Sequence, residues 1–386
     1  MNTKLHLKKF SLLWIALVAG ITTIYAQETE NTPIPLEAVK IIKTSPVKSQ
    51  ARTGTCWSFA ATSFIETELL RMGKPEFDLS EMYFSRHAYE SKADMYVRYH
   101  GMANFGSGGQ AHDVMNVVRN YGFVTEDSYH GIMYGSETHN HRELNTVLHA
   151  YLDGVLKAGQ LTPVWKKAFS ALLDTYFGEL PTTAQVKGKG LSPVEFVSSL
   201  GFSPDDYIEI SSYKHHPYYS SFILEVPDNW SNELYYNIPL DEFMQVIQYA
   251  LKNGYSVCWD GDVSDKGLSG KKGLGIVPEK DWSDMSDEEN EQAFTQLIDE
   301  KIVTEDNRQK VFDNFSATDD HLMHLTGLYK ADDGNYYYLT KNSHGKDRYD
   351  WGGFLYMSDA YVRLNTMAIM IHKDALPKEI AKKLGL

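Results

Sequence analysis

From Cys56 onward the apolar residues recur at helical spacing. Trp57, Ala60, Ala61, Phe64, Ile65 and Leu69 fall on one stripe, and Gly73 supplies a stop. The pattern predicts a central buried helix whose first residue is Cys56. Leu79-Ser80-Glu81 reads as a cap and the start of a second helix. A Gly-rich turn follows at Gly106 to Gly109, and another helical stretch runs through Asp113 to Tyr121 until Gly122 ends it. From about Glu137 to Gly178 the period stays helical, carried first by Asn145, Leu148, Leu152, Val155 and Leu156, then by Trp165, Phe169, Leu172 and Leu173. Pro181 to Gly190 reads as a loop.

After Gly201 the pattern changes to short β-branched and aromatic runs: Tyr255 to Trp259, Leu322 to Leu328, Tyr336 to Thr340, Phe354 to Met357 and Thr366 to Ile371. Turn signals such as Asp332-Asp333-Gly334-Asn335 and Gly352-Gly353 separate them. An acidic stretch from about Ser283 to Phe315 is expected to be a helical insert. The fold class is therefore α+β, a helical half followed by a β-rich half. No repeat with a period of 20 to 50 residues is present.

The N-terminus adds a compartment. Lys4, Lys8 and Lys9 precede an apolar run from Phe10 to Ile24, and Tyr25-Ala26 is followed by polar Gln27 to Glu30. This reads as a signal peptide cut after Ala26, because the run falls short of the ~20 residues a spanning helix needs. No later segment spans a bilayer, so an exported protein, periplasmic or secreted, is expected. The organisation read from sequence is a signal peptide at 1–26, an extended leader at 27–45 and a helical lobe at 46–200 with an insertion at about 137–200. A β-rich lobe at 201–375 carries the acidic insertion at about 283–315, and a C-terminal arm occupies 376–386.

Composition narrows the function. Of 386 residues 42% are hydrophobic, which excludes a disordered or collagen-like chain. The net charge of −14 leaves no basic footprint for nucleic acid. Two cysteines, Cys56 and Cys258, are too few for a disulfide scaffold. Cys258, between Val257 and Trp259, is expected to be a buried free thiol.

A cysteine opening a buried helix meets unpaired N–H groups and the positive helix end, so a depressed thiol pKa and a reactive thiolate are expected at Cys56. Such a nucleophile needs a proton partner and an orienting third group. His321 and His324 stand in Asp319-Asp320-His321-Leu322-Met323-His324 and diverge on a strand, so one of them can face a cleft. His321 is the chosen base and Asn342, on the next strand, its partner. The divergence also argues against zinc at the two histidines. No metal and no cofactor are expected.

Gln50-x5-Cys56-Trp57-x-Phe59-Ala60, Gly108-Gly109-Gln110, His321 before an apolar strand, and Asn342-Ser343-x-Gly345 together resemble the papain-like cysteine peptidases, in the branch of bleomycin hydrolase and aminopeptidase C. The resemblance runs from about Pro46 to Arg363. It implies a two-lobe fold, with the nucleophile helix in a helical left lobe, a β-barrel-like right lobe, and helical insertions. It further implies Cys56 as nucleophile, His321 as imidazolium partner and proton donor to the leaving amine, and Asn342 as the orienting residue. Gln50 becomes an oxyanion donor beside the Cys56 backbone N–H, and Gly108-Gly109 the turn along which a substrate backbone lies. Peptides are the implied substrates, an aminopeptidase the implied activity, and a homohexameric ring with the C-terminal arm in the cleft the implied assembly; the other reading of the arm is a terminal amphipathic helix packed on the surface, which would favour endopeptidase action.

Departures from the family pattern are specific. Thr53 stands where ordinary relatives carry a disulfide cysteine, as expected of this branch. Positions 56 and 321 lie 265 residues apart, against ~130–150 in papain relatives, and the two insertions supply the excess. His344 replaces the Trp that follows Asn-Ser, with Trp351 as a candidate substitute shield. The alternatives are an endopeptidase, an amidase or acyltransferase on the same site, and a catalytically silent binding protein of the same fold.

Overall fold

The computed structural model describes residues 32–386 apart from Lys187. The signal peptide and the first residues of the leader lie outside that range. Thr32–Leu386 forms one compact unit.

Six helices come first: α1 (Cys56–Arg71), α2 (Glu81–Arg98), α3 (Ala111–Tyr121), α4 (Arg142–Lys157), α5 (Val164–Phe177) and α6 (Pro193–Leu200). Their ends follow local chemistry. Ser80 caps α2 by accepting the Tyr83 N–H at 3.1 Å, and Gly122 closes α3 at a φ of 78° that disfavours a side chain. The expected single stripe of α1 is too narrow a description, because every residue from Cys56 to Leu69 is buried. The helix is wedged between neighbours, and part of its buried polar set is satisfied by them: Ser58 Oγ donates to the Glu81 carbonyl at 2.7 Å, and Lys48 Nζ lies 3.1 Å from Glu66.

Strand β1 (Glu37–Ile41) lies in the leader, and β2 (Ala184–Val186) and β3 (Lys189–Leu191) pair as a small hairpin where the sequence suggested a plain loop. The remaining strands are β4 (Tyr207–Ser211), β5 (Ser220–Ile223), β6 (Leu234–Asn237), β7 (Val257–Gly261), β8 (Leu268–Ser269), β9 (Leu274–Gly275), β10 (His321–Lys330), β11 (Tyr336–Lys341), β12 (Phe354–Ser358) and β13 (Thr366–His372). With β1 they form one eleven-stranded sheet in the order β5-β6-β4-β13-β7-β10-β11-β12-β9-β8, β1 adding to β10. Later helices are α7 (Leu240–Lys252), α8 (Asp287–Gln292), α9 (Glu305–Asp313), α10 (Asp359–Asn365) and α11 (Lys378–Leu384). The acidic insert is less helical than expected, since only α8 and α9 form within it.

Period-two alternation puts different residues of one strand into different cores. On β7 and β10, Cys258 and Leu322 join the core of the helical half, whereas Val257, Trp259, Met323 and Leu325 pack with α7 and α10. The nucleophile helix is thereby laid against the strand that begins at His321. The C-terminal segment follows β13 at its His372 end. Thr366, at the other end of β13, and His321 both pair with Gly261. Ile380 is buried in the core shared with α7, and Lys383 pairs with Glu242 of that helix. Residues 376–386 thus pack at the sheet end away from His321, not in the cleft as the family resemblance implied.

Candidate active site

Trp57, one residue into α1, donates its indole N–H to the Ser107 carbonyl at 2.9 Å. Its ring lies under Gly109, where an added Cβ would stand 3.0 Å from Trp57 Cε2 and 2.7 Å from Asp113 Oδ2. The Gly108-Gly109 turn is in this way pinned beside Cys56. Cys56 is buried and free, and the Leu322 and Trp57 backbone amides hydrogen-bond to its sulfur. Leu322 directly follows His321, so the β10 entrance is brought onto the tip of α1. Cys258 is also free.

His321 Nε2 lies 2.9 Å from Asn342 Oδ1. The same Asn342 oxygen accepts the Ser343 backbone N–H at 2.7 Å, which identifies it as the carbonyl oxygen and makes His321 Nε2 the donor. Nδ1 is left as the basic nitrogen. Asn342 itself is fixed by its N–H to the Gly353 carbonyl at 2.9 Å. His324, the rejected base, is fully buried and engages Ser63 Oγ of α1 at 2.9 Å. It serves the interface between α1 and the sheet.

Gln50 is stitched to the turn that carries Asn342. Its backbone N–H reaches the Ser343 carbonyl at 2.9 Å, its Oε1 accepts Ser343 Oγ at 2.5 Å, and one amide N–H is held by the Thr53 carbonyl at 2.8 Å. The second amide hydrogen has no partner among the described residues. Ala51 adopts a left-handed φ of 51°, a costly conformation for a residue with a side chain, where the chain turns between Gln50 and the Thr53-Gly54 approach to α1.

Shielding of the His–Asn pair comes from His344, not Trp351. The His344 ring stacks on His321 with centroids 5.2 Å apart and planes 29° apart. Trp351 instead donates to the Lys271 carbonyl at 3.1 Å and packs on Gly273.

The expected depression of the Cys56 pKa is overturned. Burial pushes the thiol up to about 12, with Asp319 and Asp228 adding to the rise and the two backbone hydrogen bonds opposing it. Burial also lowers His321, partly offset by its hydrogen bond to Asn342. Both shifts oppose separation of charge between the thiol and the imidazole. The helix tip alone is too weak to ionise a sulfur stripped of water.

Sequence reasoning missed the charges behind this effect. Asp113, Asp228, Asp260 and Asp319 come from four distant segments and meet beside Cys56 with Lys92 of α2. Asp319 alone had a signal, standing two residues before His321. A hollow of about 690 Å3 elsewhere, lined by Leu240, Asp241, Ile302, Glu305 and Arg363, holds neither thiol nor imidazole and is not part of this site.

The chain is similar to known cysteine peptidases. Residues 184–385 match the Peptidase C1-like family and residues 37–159 the papain family cysteine protease model. Aminopeptidase C of Streptococcus thermophilus is 26% identical over 382 residues, covering 86% of this chain and 81% of that protein. The mitochondrial cysteine proteinase 1 of Saccharomyces cerevisiae (strain YJM789) is 28% identical over 109 residues, 24% of this chain and 23% of its own. The crystal structure of PepW from Lactobacillus rhamnosis superposes with a TM-score of 0.71 at 20% identity, covering 90% of this chain and 84% of PepW. The chain belongs to the Peptidase C1-like family and is a papain-like cysteine peptidase of the bleomycin hydrolase and aminopeptidase C branch.

Proposed function

We propose that this peptidase is an exported aminopeptidase that releases N-terminal residues from peptides through Cys56, His321 and Asn342, with Gln50 as an oxyanion donor. The observation that carries the reading is the His321 Nε2–Asn342 Oδ1 hydrogen bond of 2.9 Å, on a strand whose next backbone amide holds the Cys56 sulfur. Export rests on the signal-peptide pattern of residues 1–26, and the exopeptidase direction on likeness to aminopeptidase C.

As the substrate carbonyl meets the sulfur, the thiol proton passes to His321 Nδ1 and the thiolate attacks the carbonyl carbon. The oxyanion so formed accepts from the Cys56 backbone N–H and the free amide hydrogen of Gln50, a donor worth ~3 kcal/mol of barrier. His321 then protonates the departing amine. The acyl-enzyme is hydrolysed by a water that His321 deprotonates, which restores the resting pair. Asn342 keeps the ring in the tautomer this cycle requires.

Aminoacyl 4-methylcoumarin amides with free and acetylated amines test both parts. Turnover of the free-amine form, lost in Cys56→Ala and His321→Ala proteins that stay folded by circular dichroism, is the expected result. Turnover persisting in either variant overturns the assignment of the triad, and preference for acetylated substrates overturns the aminopeptidase reading.

A further inference from the structure

We propose that Asp228, on the loop between β5 and β6, captures the free α-ammonium of the substrate's first residue, and that this loop closes the cleft to any residue before it. The inference rests on the aminopeptidase reading above and assigns its specificity.

Residues Leu224 to Glu233 fold on themselves around buried Asn229. Its side-chain amide donates to the Leu224 and Glu233 carbonyls, each at 3.1 Å, and its Oδ1 accepts the Glu233 N–H at 3.0 Å. The loop is then fastened to the helical half. Asn104 Nδ2 donates to the Pro227 carbonyl at 3.0 Å and to Asp228 Oδ1 at 2.9 Å, Trp230 donates to Asp113 Oδ2 at 2.9 Å, and Asn116 donates to Glu233 at 3.0 Å. A loop braced at both levels is a preformed wall rather than a strap that must be ordered on binding.

Its position decides its consequence. A Cβ added to Gly108 would stand 1.8 Å from Asp228 Oδ2, so the carboxylate lies directly over that glycine. Gly108-Gly109 is the turn along which an extended substrate backbone is expected to run. Space for a residue preceding the scissile one is therefore filled by Asp228. Oδ1 is engaged by Asn104, while Oδ2 has no hydrogen-bond partner among the described residues.

The surrounding charges are unbalanced in the sense a cation corrects. Lys92 is the ammonium shared by Asp113, Asp228 and Asp319, and it is bound to the Gly106 carbonyl at 3.2 Å and to that of Gly108. Asp260, wholly buried next to Asp319, has both carboxyl oxygens without a hydrogen-bond partner among the described residues. Burial and the Asp319 charge push its pKa well above the ordinary carboxyl range. Asp113, Asp228, Asp260 and Asp319 outnumber the cations beside them, Lys92 and, 3.8 Å from Asp113, His112. An α-ammonium, with three N–H donors, supplies the missing charge at Asp228 Oδ2, which lies over Gly108 and is unengaged among the described residues.

The test compares three coumarin amides of one amino acid: free amine, acetylated amine, and the des-amino acyl analogue. For the intact protein the free amine is expected to be preferred over both others by about 100-fold in kcat/KM. Asp228→Asn should reduce kcat/KM for the free amine roughly 30-fold, mostly through KM, and compress that preference. Asp228→Gly should additionally raise turnover of N-blocked dipeptidyl amides. If Asp228→Asn fails to fold, Asp228→Glu, which keeps the charge, should preserve the demand for a free amine. An intact protein that accepts the des-amino analogue equally well overturns the inference without any variant. A strict demand for the amine that survives in Asp228→Asn overturns the inference alone; an intact protein that cleaves only blocked internal bonds overturns the aminopeptidase reading with it.

Discussion

The stacked His344 carries the sharpest prediction, because this chain has an imidazole where the family pattern it resembles has an indole. Replacing it by alanine uncovers the His321–Asn342 hydrogen bond of 2.9 Å and removes a ring contact at 5.2 Å. Water then competes for Asn342 Oδ1. A buried hydrogen bond contributes about 1 kcal/mol net and an aromatic pair about 0.5–1.5 kcal/mol, so about 1.5–2.5 kcal/mol of orientation is lost. That corresponds to roughly a 10- to 70-fold fall in kcat with KM little changed. His344→Phe keeps the cover and should stay within about threefold of the parent. Its pH profile separates cover from charge: burial lowers His344 to about 4, with His321 and Arg348 contributing. Above pH 5 the ring is neutral, so His344→Phe leaves the profile unchanged there. Below it, His344 gains a charge that opposes the His321 imidazolium, and the phenylalanine variant should lose less activity. The assay is fluorescence turnover of a free-amine coumarin amide from pH 4.5 to 9, normalised by titration of Cys56. A His344→Ala protein within twofold of the parent, or a His344→Phe protein as poor as it, would refute the shielding argument.

Three further outcomes are expected. Gln50→Ala should lower kcat by ~10²–10³, and Ser343→Ala, which frees Gln50 Oε1 from its 2.5 Å bond, should lower it less; equal rates in Gln50→Ala and parent would remove Gln50 from the oxyanion site. His112, 2.8 Å from Glu209, is raised to about 9 against burial by that carboxylate. Its stabilisation, on the order of 3 kcal/mol, is therefore complete below pH 6.5 and lost as pH rises toward 9; urea unfolding of His112→Gln should show a flatter dependence over that window, and an unaltered slope would contradict it. Both cysteines being free, denatured protein should yield two titratable thiols without reductant, and finding none would mean a Cys56–Cys258 bridge.

Much of the helical half was legible because its apolar spacing is local and its stops are glycines. The same reading misjudged α1, since periodicity reports a stripe but not a helix enclosed on every side, where Glu66 and Ser63 are satisfied by distant Lys48 and Lys341. The acidic insert misled for a related reason: charged composition suits a helix, yet Trp282 and Phe294 stack and pull the segment onto the sheet. Cys56, His321, Asn342 and Gln50 could be singled out because each sits in a short motif. Asp228 sits in none. Its meaning depends on Gly108, Lys92 and Asp113 arriving from other segments, and no local pattern encodes that convergence.

That convergence also resolves a conflict within the cleft. Carboxylates suited to hold an ammonium are ill suited to a neighbouring thiolate, and Asp319 and Asp228 do raise the Cys56 pKa. An ammonium seated on Asp228 cancels part of this effect, so the substrate that fits the subsite also makes its own nucleophile easier to ionise. A relief of about 1 kcal/mol increases the thiolate population about fivefold, a modest value for one charge compensated at an effective dielectric near 20. Methylammonium fills the subsite without a reacting carbonyl. It should accelerate alkylation of Cys56 by iodoacetamide relative to equimolar tetramethylammonium, which cannot donate a hydrogen bond, and Asp228→Asn should abolish the difference. Equal alkylation rates in the two salts would show that the carboxylates and the sulfur are electrostatically independent, and that the amine is read elsewhere.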